Sequence, residues 1–410
     1  MRKMKDSGIE WIGQLPNNWI TRKFKYFHNN SNVGEAVDKE FWSNDSNDML
    51  FYTAGLKPIH STYKMFPAWK YTKPNDLLLA RNGTPYVYFP FVGAMYTDHI
   101  IRVSLNEKYD KKYIGYCLQQ SIYSEVVDSV SIATWSVGVW DKQYLPVPPY
   151  NQQNIISSFL DTKCGEISTL ISDIQSQIEA LEEYKKSLVF RIISRGIKKA
   201  SLKSTVSDVW TAIPETWELI DIKYVFEIVK RIAGQEGFDV LSVTQKGLKV
   251  KDIESNNGQQ AESYAGYQFV YPTDYVMNHM DLLTGWVDCS TMFGVTSPDY
   301  RVFRLRDKEN NDLTYFKYVM QCCYMSRIFY SLGQGVSNLG RWRLQTSAFN
   351  NFMIPVPPLE EQREIANYLD TKISEIDTII ADKQQQIETI EEYKKSLIFE
   401  YVTGKKEVRS

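Results

Sequence analysis

Two stretches of the chain carry apolar residues on a seven-residue period. In the first, Leu160, Ile167, Ile174, Leu181 and Leu188 follow one another by sevens, with Cys164, Ile171, Ile178 and Ile192 interleaved. The second has Leu369, Ile376, Ile390 and Leu397, with Ile373, Ile380 and Ile387 between them. Such a seam predicts two long helices that pair as a coiled coil. Pro149 and Pro358 stop any preceding helix and let a new one begin just after, and no proline interrupts either stretch. Lys185 and Lys394 stand at matching seam positions, and Lys383 stands where the first helix has Ile174. Polar seam residues give up stability and fix register.

Elsewhere the period changes. Asp76–Ala80, Tyr86–Phe89 and Ile100–Leu105 are rich in residues that favour strands. Tyr300-Arg301-Val302-Phe303-Arg304-Leu305-Arg306 alternates apolar and basic positions, which predicts a half-exposed strand. Lys111–Val127 and Leu313–Phe329 have apolar residues three and four apart and predict helices. Each such region is an α+β body whose strand order the pattern does not give.

The chain is an internal repeat. Residues 146–190 align without a gap on 355–399 at an offset of 209, with 27 identities in 45 positions. Pro-Val-Pro-Pro, Leu-Asp-Thr-Lys and Glu-Glu-Tyr-Lys-Lys-Ser-Leu all occur in both copies. A weaker repeat opens each half: Leu15-Pro16-Asn17-Asn18-Trp19 matches Ile213-Pro214-Glu215-Thr216-Trp217 at an offset of 198, with Trp11 and Trp210 upstream. Between these ends, 28–145 and 227–354 are dissimilar. Shared ends should meet the same partner twice; divergent bodies should meet different things. If the helices pair antiparallel, the bodies lie at opposite ends of a bar, about 50–65 Å apart at ~1.5 Å per residue. The expected fold is therefore α+β, a pseudo-twofold tandem repeat. It comprises residues 1–150 and 201–358 as recognition bodies, with 151–200 and 359–410 as the antiparallel two-helix spacer.

Composition narrows the class. The chain has 410 residues, 43% of them hydrophobic and 23% charged, which suits a folded, soluble, multidomain protein. It has no apolar run long enough for a membrane span and opens without an apolar leader, so the expected compartment is the cytoplasm. Five cysteines without a CxxC pair and four scattered histidines predict neither a disulfide framework nor a zinc site. Net charge is −2, with balances of +3, +1, −2 and −4 along the four segments. A local basic face would suffice for nucleic acid, so the charge excludes nothing.

Catalytic motifs are lacking. There is no GxxxxGK[ST] loop and no GxSxG elbow. Gly333-Gln334-Gly335 is a fragment of a dinucleotide fingerprint, and Val147-Pro148-Pro149-Tyr150 recurs as Val356-Pro357-Pro358-Leu359, which reads as a helix entry. His28, His60, His99 and His279 have no partner at a repeated spacing and read as ordinary surface or core residues. Recognition chemistry fits better. Arg81-Asn82-Gly83-Thr84-Pro85 places Arg81, Asn82 and Thr84 on a turn between strands, and Arg and Asn read guanine and adenine edges bidentately. In the second body Gln334, Ser337, Asn338, Arg341 and Arg343 surround Trp342 in a Gly-rich stretch. Its expected counterpart, Thr134–Trp140, includes Ser136.

Over essentially its full length the chain resembles the specificity subunits of type I restriction–modification systems. The resemblance rests on Trp11 and Trp19 of the opening and on the two Pro-Val-Pro-Pro endings. These are followed by Asn151-Gln152-Gln153 and by the closer match Leu359-Glu360-Glu361-Gln362. The duplicated Glu-Glu-Tyr-Lys-Lys-Ser-Leu helices complete it. It implies two target-recognition domains, each reading one half of an asymmetric, split site in double-stranded DNA. It also implies that the helices dock two methyltransferase subunits, with a restriction/translocase subunit joining outside. Catalytic, cofactor-binding and metal-binding residues would then be absent from this chain, and S-adenosylmethionine, ATP and magnesium would belong to the partners. Two other classes fit parts of the pattern: a coiled-coil adaptor with two protein-binding heads, and a stand-alone DNA-modifying enzyme.

Overall fold

In the computed structural model, residues 2–123, 134–252, 261–334 and 342–408 are described. The chain divides into two compact units, Met1–Ile174 with Gln385–Ser410, and Gln175–Gln384. Each unit holds one body, the start of one long helix and the end of the other. The helices are continuous over Tyr150–Arg195 and Leu359–Val402, so the division falls within each helix.

Both bodies are built on the same four-stranded antiparallel sheet, although their sequences diverge. In the first unit the order is His28–Val33, Ile100–Leu105, Asp76–Ala80, Val87–Tyr88. In the second it is Phe226–Val229, Arg301–Leu305, Tyr275–Met277, Val287–Cys289. One helix packs against each sheet, Lys111–Tyr123 and Leu313–Met325 respectively. Burial on both faces explains the unbroken apolar run Leu77-Leu78-Leu79-Ala80, every residue of which is enclosed. The strand containing Arg301 departs from the expected half-exposed pattern. Arg304 is exposed, but Arg301 is buried and donates to the carbonyl of Leu344.

The shared ends make several equivalent bonds in each unit. Trp11 donates its indole N–H to the carbonyl of Tyr144 at 3.0 Å, and Trp210 to that of Met353 at 2.9 Å. The one-residue slippage between these tryptophans is thus absorbed before the indoles meet equivalent acceptors. Gln153 and Gln362, both buried at a long-helix start, fasten helix to body. Their amides donate to Pro148 and Pro357, and their oxygens accept from the N–H groups of Asp110 and Asp312. Tyr113 and Tyr315 add hydroxyl bonds to the carbonyls of Pro146 and Pro355. Buried amides satisfied at both ends hold one orientation, because any rotation leaves polar atoms unpaired.

The helices run antiparallel within each unit. In the first, Phe159 meets Tyr401 and Ser168 accepts from Lys394 at 2.9 Å. In the second, Gln177 accepts from Lys383 and Asp377 from Lys185, each at 2.5 Å. One partner's number rises as the other's falls. All three seam lysines therefore reach across to the opposite helix, which gives their cost in stability a structural return. Leu160, Ile167, Ile174, Ile178, Leu188, Leu369, Ile376, Ile387 and Leu397 are buried; Ile171, Leu181, Ile380 and Ile390 are half-buried. The long helices end at glycines in the left-handed region, Gly196 (φ 73°) and Gly404 (φ 70°). Gly404 lies against Pro16 and Trp19, and Gly196 against Trp217. Each helix end thus packs on an opening motif.

Candidate nucleic-acid interface

In the first body the two stretches singled out in the sequence come together. Arg81–Pro85 turns between paired strands, and Asn82 forms a bridge with Thr134. Trp135 donates its backbone N–H to the carbonyl of Arg81 at 2.6 Å and its indole N–H to that of Gly83 at 2.7 Å. Gly83 (φ 75°) permits the turn and has open space beside it. The buried indole clamps the backbone of the turn, so Arg81 and Thr84 are left exposed and Asn82 half-exposed at a fixed tip. Among the described residues, the guanidinium of Arg81 makes one hydrogen bond, to the carbonyl of Asp98 at 3.4 Å. Ser136 is exposed at the start of the short helix Val137–Asp141, and its hydroxyl makes no capping bond.

The second body repeats this plan with other residues. Leu344 donates to the carbonyl of His279 at 3.0 Å, as Trp135 does to Arg81, and Leu282 donates to that of Trp342. Residues 135 and 344 differ by the repeat offset of 209, so Arg343 is the counterpart of Thr134. The turn after Met277, which contains His279, stands where body 1 has Arg81. Gln334 and Arg343 form a bridge at the root of the intervening segment, with Trp342 against Tyr330. Ser337, Asn338 and Arg341 lie outside the described residues.

His279, expected to be an ordinary surface or core residue, and Arg301, expected on a half-exposed strand, come together at this turn. His279 is buried, and its pKa is pushed down to about 3, first by burial and then by the charges of Arg301 and Arg343. Arg301 is itself lowered to about 10, chiefly by burial. The alternation of apolar and basic residues over 300–306 gave no sign of it, because it predicts the basic positions exposed. Of the other histidines, His28 pairs with Asp141 at 2.8 Å. Among the described residues no group of acidic, histidine and cysteine side chains could hold a metal, and no helix is long and apolar enough to cross a membrane.

Residues 214–389 match the family model of the type I restriction modification DNA specificity domain. The chain is 24% identical over 363 residues to the type I restriction enzyme MjaVIII specificity subunit of Methanocaldococcus jannaschii, covering 82% of this chain and 80% of the relative. The chain is thus similar to type I specificity subunits. The EcoBI specificity subunit of Escherichia coli is 24% identical, over 92% of this chain and 84% of its own length. A chain solved in a study of complex assembly and conformational transition of the type I R-M system superposes with a TM-score of 0.64. It is 12% identical, with 95% of this chain and 98% of that chain covered, a likeness of fold. In this chain, two copies of one sheet topology present different residues at equivalent turns.

Proposed function

We propose that each body reads one half of an asymmetric, bipartite duplex site, and that the long helices dock two methyltransferase subunits. The observation that carries this is the pairing of a common scaffold with divergent tips. The sheet order, the buried glutamines and the indole bonds of Trp11 and Trp210 recur, whereas Arg81 is replaced by His279 and Thr134 by Arg343 at equivalent places. Phosphate contacts would set register and the turn residues would read base edges.

The helices support docking of one partner twice. Heptad positions beside a seam are usually charged. Here Leu170 and Ile379 are 48% and 44% exposed, and Tyr184 and Tyr393 are 56% and 57% exposed, each pair at the repeat offset of 209. Exposed apolar groups retained at the same positions in both copies fit two copies of the same protein. The chain would be non-catalytic and cytoplasmic, with S-adenosylmethionine, ATP and magnesium bound by the methyltransferase and restriction subunits.

The test is an exchange of residues 28–145 for the equivalent body of a relative, in the complex with its methyltransferase partner. Methylation mapping by single-molecule sequencing should then show one half-site changed and the other kept. A change in both halves, or no sequence preference in either protein, would overturn the reading.

A further inference from the structure

At the root of the turn in body 2, three basic side chains gather around one backbone position. The carbonyl of His279 accepts from the N–H of Leu344, and the carbonyl of Leu344 accepts from Arg301 Nη2 at 3.1 Å. Arg343 is the preceding residue. Arg301 is only 5% exposed; it lies over Phe349 and also donates to Thr346 Oγ1 at 3.3 Å. Among the described residues, its Nη1 and the Nδ1 of His279 are enclosed without a hydrogen-bond partner. Arg343 is exposed, and its side chain makes no hydrogen bond or ion pair among the described residues. The charges acting on His279 are the two arginines, and the charge acting on Arg301 is Arg343; the neighbouring Tyr324 is held un-ionised by burial. Asp281, nearby in sequence, has its carboxylate engaged by Leu283 and Thr284.

A buried guanidinium with no carboxylate opposite it is costly. The sheet does not require it. Arg301 pairs with Met277 in body 2, where Ile101 pairs with Leu79 in body 1. An apolar residue therefore serves the same sheet position in the other copy. The uncompensated charge points to an anion supplied by whatever the turn meets.

We infer that Arg301, His279 and Arg343 form an anion seat that takes a backbone phosphate of duplex DNA at the half-site of body 2. The inference rests on the DNA-reading proposal and deepens it. Arg343 makes the contact. Arg301, enclosed behind it in a poorly polarisable setting, adds its field, and its tie to Leu344 holds the adjoining backbone. His279, buried within reach of both arginine charges, stays neutral. Arg301 is held by a carbonyl and a hydroxyl, so it cannot swing out to read a base edge; this seat positions the duplex and leaves sequence to other residues.

The test uses the full chain with its methyltransferase partner. Its affinity is measured for a cognate duplex and for duplexes with single mismatches in the body 2 half-site, across a series of salt concentrations. Arg343→Gln should lower affinity for all duplexes by one common factor and reduce the salt slope by about 0.9, the value of one phosphate contact. Arg301→Met should weaken all duplexes alike; its thermal unfolding is measured alongside, and Arg343→Gln decides the matter if Arg301→Met is misfolded. Wild-type affinity and slope in Arg343→Gln would overturn the inference alone, as would altered mismatch penalties, which mark a base reader. A wild-type complex that fails to prefer cognate over random duplex would overturn the DNA-reading proposal, and the seat with it.

Discussion

Arg81 and His279 occupy equivalent places, yet physics treats them differently. Arg81 is exposed on a turn clamped by Trp135, and among the described residues its guanidinium makes one weak bond, so it is available to a ligand. Arg81→Ala should relax the half-site read by body 1, with a loss of about 1–3 kcal/mol of discrimination at one base pair. Mismatch penalties on a panel of duplexes check this, and uniform weakening would mean that Arg81 only meets phosphate. His279 titrates near 6.5 in an unfolded chain and near 3 in the fold, because burial and two arginines disfavour its charge. Below pH 6.5 the unfolded chain binds a proton that the fold refuses. The stability this residue contributes is complete above pH 6.5 and is lost as pH falls toward 3. Urea unfolding between pH 7 and 4.5 should show that decline, and His279→Gln should flatten it.

At the scale of elements, the long helices show how a repeat holds register. Lys383 replaces the Ile174 of the other copy, and its ammonium reaches Gln177 on the opposite helix. A half-buried lysine in a seam forgoes apolar burial in return for a directional contact. Lys383→Ile should raise the unfolding midpoint by about 2–4 °C while making the register less unique. Calorimetry reads the first effect, and disulfide trapping between cysteines placed along the two helices reads the second. An unchanged or lower midpoint would show that the lysine stabilises the pair outright. The helix starts are fixed differently, by Gln153 and Gln362, whose bonds tie a recognition body to its own helix. This gives the glutamine after each Pro-Pro a physical reason to be there.

For the whole molecule, the proposal makes the helices a spacer between two reading events. Deleting one heptad from each helix together, 171–177 with 380–386, keeps the seam in phase and should shorten the unread gap of the DNA site while both half-sites persist. Methylation mapping gives the gap directly, and an unchanged gap would show that the helices do not set the spacing. The sequence alone determined the repeat, the long helices and their seam, because these rest on local periodicity and on identity at a fixed offset. It also marked Arg81–Pro85 and Thr134–Trp140 as separate segments of interest. Only the tertiary structure joined them, through the bonds of Trp135 to Arg81 and Gly83 across fifty residues of chain. It alone showed that two dissimilar bodies share one sheet order, since strand pairing depends on distant partners that side-chain alternation does not name. It alone buried Arg301 and His279 against a single backbone position, because whether a charge meets a counter-charge is settled by what folds around it.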